Sequence, residues 1–72
     1  MTNAIPMHSV VSSQLSYIGY DEVTSTLYVT FKNGTTYKYE NVTEQVFNEL
    51  KESSSIGKYF NSIKNNYTYS KV

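Results

Sequence analysis

The sequence has no cysteine. That excludes a disulfide framework, a thiolate metal site and a thiol nucleophile, and it fits a reducing cytoplasm as the expected location. Arginine is missing too, so all six basic residues are lysines. Arginine is the usual two-pronged reader of phosphate and guanine, and long nucleic acids are held by many basic contacts. Six lysines balanced by six acids, a net charge of zero, make a poor track for a polymer. His8 is the single histidine. One imidazole without cysteine or clustered carboxylates is not a metal site, and a serine nucleophile would have no base nearby. Neither catalysis nor a bound cofactor is therefore expected. No apolar run approaches the roughly 20 residues of a membrane span. The start "MTNAIPMHSVV" lacks a basic leader and an apolar segment, so neither a signal peptide nor a membrane partner is expected.

What the chain does have is tyrosine, eight of them in 72 residues. A chain of this length is one domain near the lower limit for folding alone, and an internal active-site cavity would be costly in it. Leu, Ile, Val and Phe together supply only 17 residues. Tyrosine adds apolar area while its hydroxyl seeks a partner, which suits half-buried positions and pocket walls. So thin an aliphatic core also makes a homo-oligomer a candidate state. Charge is unevenly spread. Residues 1–52 carry three lysines and six acids, whereas residues 53–72 carry Lys58, Lys64 and Lys71 and no acid.

The pattern predicts a small α+β fold, a three-stranded antiparallel meander followed by two short helices packed on one face. Residues 1–9, with Pro6, read as an extended arm, and residues 10–72 as the single domain. A first strand runs from Val10, with Leu15, Tyr17 and Gly19 on one side and Ile18 and Tyr20 on the other. "TLYVTF" alternates Leu27, Val29 and Phe31 against Tyr28 and Thr30. "KNGT" signals a hairpin and "TYKYE" the return strand. Thr43 is placed to cap a helix over "EQVFNELKE", with Val46, Phe47 and Leu50 as its apolar stripe. A second helix starts near Ser55 or Ile56, where Ile56, Tyr59, Phe60 and Ile63 fall at helical spacing. The tail "NNYTYSKV" is irregular or a short added strand.

The hairpin turn decides what Tyr37 and Tyr39 do. A two-residue turn at Asn33-Gly34 would pair Thr30 with Tyr37 and put both rings on an outer aromatic patch. A three-residue turn at Lys32-Asn33-Gly34, with glycine left-handed, pairs Val29 with Tyr37 and Leu27 with Tyr39 and sends both rings to the core side. The second is expected, because the aliphatic residues alone would fill that side thinly.

Five features resemble the KTSC domain, the small module named after the C-terminal end of some lysyl-tRNA synthetases. They are Ser12-Ser13, Gly19-Tyr20-Asp21, the Phe31-x-Asn33-Gly34 hairpin, the Tyr37-x-Tyr39 pair and Ser55-x-Gly57-x-x-Phe60-Asn61. The likeness runs from about Val11 to Tyr67, with Ser53 and Ser54 standing where the family often has alanine and proline. Family members occur as free-standing bacterial and phage proteins and as appended domains. The resemblance implies no established chemistry, and the synthetase context suggests RNA binding.

Two stretches carry most of the binding potential. In "SSSIGKYFN", a helix start offers free N–H groups and partial positive charge, to which Ser55, Gly57 and Lys58 would add a hydroxyl, close approach and charge. The alternative is that Ser55 caps the helix and Gly57 packs it on the sheet. Tyr37 and Tyr39 would stack a base, with Ser12, Ser13, Tyr20 and Asn61 as further polar contacts. The resulting expectation is a non-catalytic binder of a small phosphate-bearing ligand, a nucleotide or nucleotide-derived signal. In a phage-encoded chain its role would be to sequester a host immune signal. An RNA-binding domain and a protein-interaction or oligomerisation module are the alternatives.

Overall fold

The structure, a computed structural model, describes residues 6–72, so residues 1–5 of the expected arm lie outside the described residues. Its centre is an antiparallel meander of β2 (Leu15–Asp21), β3 (Thr26–Phe31) and β4 (Thr36–Tyr39). Asp21 opens the first turn by accepting a hydrogen bond from the Val23 N–H, the usual task of an aspartate there. The β3–β4 turn has three residues. Gly34 N–H donates to the Phe31 carbonyl and Phe31 N–H to that of Thr35, with Gly34 at φ 90°. That conformation is natural for glycine and costly for most other residues. Leu27 therefore pairs with Tyr39 and Val29 with Tyr37, the expected register.

Simple alternation fails in β2. Both Leu15 and Ile18 are fully buried, although three positions apart in one strand. The ladder slips between Leu15 and Tyr17, and this bulge at Ser16 lets two core residues on opposite phases face the same way. The strand also starts at Leu15 rather than at Val10. Ser12 accounts for the late start, because its hydroxyl accepts from the N–H groups of Gln14 and Leu15 and holds a turn.

The helices form where expected. Thr43 caps α1 (Glu44–Glu52), its hydroxyl accepting from the Val46 N–H, and α2 (Ile56–Ile63) ends in a short 3-10 turn over Lys64–Asn66. Phe47 and Leu50 of α1 and Ile56 and Phe60 of α2 bury against Leu15, Ile18, Leu27, Val29, Tyr39 and Val42. Outside the core, the Tyr59 hydroxyl joins the helices by donating to the Glu49 carboxylate at 2.7 Å. Among the described residues no helix is long and apolar enough to cross a membrane.

The sheet has five strands rather than the expected three, in the order β1-β2-β3-β4-β5. β1 (Met7–Ser9) adds outside β2 and β5 (Tyr69–Lys71) outside β4. Each is three residues long and exposed throughout, so neither bears the alternation that reveals a half-buried strand. An extended arm and an edge strand share one backbone shape, and pairing of His8 with Ile18 makes Met7–Ser9 the latter.

Candidate functional site

The residues singled out in the sequence fall into three places. Ser12, Gln14 and Gly57 meet where the loop before β2 crosses the first turn of α2. Gln14 Nε2 donates to the Gly57 carbonyl at 3.1 Å. A Cβ on Gly57 would lie 2.9 Å from Gln14 Nε2 and 3.1 Å from the Ser12 hydroxyl, so Gly57 lets these side chains close onto the helix and a larger residue would displace Gln14. Ser55 is the residue before α2, but its hydroxyl makes no capping bond; its N–H donates to the Ser53 hydroxyl instead. Ser13, Lys58 and Asn61 are exposed around this loop and helix.

Tyr20 lies elsewhere. Its hydroxyl donates to the Val42 carbonyl at 2.6 Å and its ring stacks on Phe47 at 5.3 Å. The first pins the β4–α1 connection to the sheet and the second pins α1 itself, a structural task.

Tyr37 and Tyr39 lie on the helix side of the sheet, where β5 extends it beyond the reach of the helices. Tyr69 stands opposite Tyr39 in the ladder, and their rings stack at 5.4 Å. Phe31 meets Tyr37 edge-on at 5.6 Å, and Phe60 meets Tyr39 edge-on at 5.3 Å. Lys64 and Asn65, from the turn after α2, complete an open cleft of about 260 Å³ with Phe31, Tyr37, Tyr39 and Tyr69. Lys71 pairs with Tyr37 and so shares its side of the sheet. Asn65 and Tyr69 were absent from the residues singled out in the sequence, and Lys64 and Lys71 entered only as part of its acid-free basic end. A signal was present: Tyr69 and Lys71 are two apart, and the last twenty residues hold lysines without acids.

Burial, followed by the neighbouring Tyr69 and Tyr37 hydroxyls, raises the Tyr39 pKa above the ordinary tyrosine value. The folded state thus holds this proton more firmly than the unfolded chain does. The stability this gives is complete below about pH 10, the unfolded value, and is lost as pH rises through the higher folded one. Tyr39→Phe is expected to flatten the alkaline fall of the melting temperature. An unchanged slope would show that another group controls it.

Two further concave regions lie among the described residues. A larger one of about 570 Å³ lies between α1 and the β2–β3 turn and carries Asp21, Glu22 and Glu44 against Lys51. The other, about 310 Å³, carries Asp21 and Glu40 against Lys38. Of the three, the tyrosine cleft alone has a cation and no acid in its wall. None of the three reaches Ser55, Gly57 or Lys58.

A protein-family model described as the KTSC domain matches residues 11–67. The chain belongs to the KTSC domain family. The crystal structure of a KTSC domain protein from Yersinia pestis is similar over 96% of this chain and 99% of that one, with a TM-score of 0.89 and 31% identity. An uncharacterized protein of Stutzerimonas stutzeri is 40% identical over 52 residues, 72% of this chain and 73% of that protein. A protein of Tsukamurella paurometabola is 37% identical over 57 residues, 79% of this KTSC chain and 85% of the relative.

Proposed function

We propose that this KTSC domain is a non-catalytic binding module for a nucleotide or a nucleotide-derived signalling molecule. The observation that carries the reading is the cleft of Phe31, Tyr37, Tyr39 and Tyr69 closed by Lys64 and Asn65. Aromatic faces stack a planar base, phenol hydroxyls and an amide hydrogen-bond its edge, and a lysine attracts phosphate. The sole histidine tilts against Phe47 at 6.4 Å, at the β1 edge of the sheet and so at the opposite end from this cleft, and the reading is one of capture without turnover. Binding alone lowers the free concentration of a ligand, which is the sequestering role proposed for a phage-borne copy acting in its host's cytoplasm.

The test is a thermal-shift panel of nucleotides and cyclic nucleotides. A ligand at about one hundred times its Kd stabilises the native state by about 2.7 kcal/mol. In a domain this small that raises Tm by about 10 °C or more. No rise with any nucleotide at millimolar concentration would contradict the proposal. So would a preference for single-stranded RNA whose affinity falls steeply with salt.

A further inference from the structure

We infer that the ligand's phosphate is held by Lys64 and Lys71, with one base in the tyrosine cleft, so that the recognised unit is a single mononucleotide. This deepens the nucleotide reading above and rests on it. Drug-sized ligands usually occupy at least about 300 Å³, whereas this cleft offers about 260 Å³ and is open on one side. It has room for one base, leaving the sugar and phosphate at the mouth.

The mouth supplies the charge. Lys64 is half-buried at the C-terminal end of α2, its N–H donating to the Phe60 carbonyl and its side chain lining the cleft. A helix C-terminus carries partial negative charge, which Lys64 offsets. Without that ammonium the cleft would repel an anion. Lys71, on β5, pairs with Tyr37 of β4 and so rises from the same face of the sheet as the cleft, where its long stem can bring the ammonium to the mouth. Lys58 cannot join them, because it stands six positions before Lys64 along the helix. That spacing is about 9 Å along the axis and about 240° around it. The basic balance of the last twenty residues thus resolves into one lysine in the cleft wall, one on the same sheet face beside Tyr37 and one away from both.

The test is calorimetric titration of the full chain with AMP, GMP, CMP and UMP, each compared with its nucleoside and with inorganic phosphate. The proteins are wild type, Lys58→Ala, and a double variant with Lys64→Met and Lys71→Ala. Methionine keeps the apolar stem of Lys64 in place, and melting curves confirm that the variants fold. At least one nucleotide is expected to bind about tenfold more tightly than its nucleoside, the scale of a net charge-assisted contact. The double variant is expected to reduce that ratio to about twofold or less, and Lys58→Ala to leave it intact. A ratio lost in Lys58→Ala and kept in the double variant would overturn this inference while leaving the nucleotide reading standing. Nucleosides binding as tightly as nucleotides to wild type would do the same. Binding of neither class would remove both.

Discussion

Phe60→Ala is expected to cost about 3–5 kcal/mol, the usual range for emptying a buried phenylalanine site. Phe60 is 1% exposed and stands edge-on to both Phe31, at 5.8 Å, and Tyr39, at 5.3 Å. It is therefore the piece of α2 that locks into the β3–β4 hairpin and supports the Phe31 and Tyr39 rings behind the cleft. At about 0.05–0.15 kcal/mol per residue, the whole domain has only a handful of kcal/mol to lose. The variant should melt near room temperature or fail to fold, as read by urea denaturation. A loss below about 1 kcal/mol would mean that the site collapses freely, which the rings around it argue against.

Deleting Thr36 is expected to be at least as damaging, whereas deleting Lys32 is expected to be tolerated. Without Thr36, the pairing at the turn stays and every later residue of β4 moves back one place. Tyr37 and Tyr39 then point outward, and Lys38 takes the inward position opposite Val29. Exposing two largely buried rings forfeits roughly 3–6 kcal/mol by itself, before the cost of an inward lysine. Removing Lys32 instead leaves Asn33-Gly34 as a two-residue turn, a favoured hairpin dipeptide, between the same partners Phe31 and Thr35. Circular dichroism melts of the two deletions compare them directly. A Thr36 deletion that melts as cooperatively as wild type would contradict the observed register.

These elements were legible to different degrees, for physical reasons. The β3–β4 register could be read because Gly34 supplies the one left-handed residue a three-residue turn needs, and because the core required the tyrosines. Thr43 and the spacing of Phe47, Leu50, Ile56 and Phe60 marked both helices. The bulge at Ser16 was not legible, since an extra residue in a strand leaves no compositional mark of its own. Edge strand β1 was hidden by its brevity and exposure, whereas for the tail a short added strand stood as one of two readings and β5 is that strand.

The candidate site divides along the same line. Tyr37 and Tyr39 could be placed on one face from spacing alone. Tyr69 and Lys71 join them through the return of the tail to β4, and Lys64 through the packing of α2 on the sheet, long-range arrangements that local pattern does not announce. The start of α2 looked chemically suggestive for a reason that the structure makes structural at Gly57, where Gln14 and Ser12 pack against it.

The most direct measurement is an NMR titration of the tyrosine ring resonances with whichever nucleotide gives the largest thermal shift. Saturable shifts at Tyr37, Tyr39 and Tyr69, with Tyr17 and Tyr28 on the opposite face of the sheet unmoved, are the predicted result. Shifts confined to Tyr17 and Tyr28, or to Tyr20 beside the acidic hollow, would contradict the assignment of the cleft.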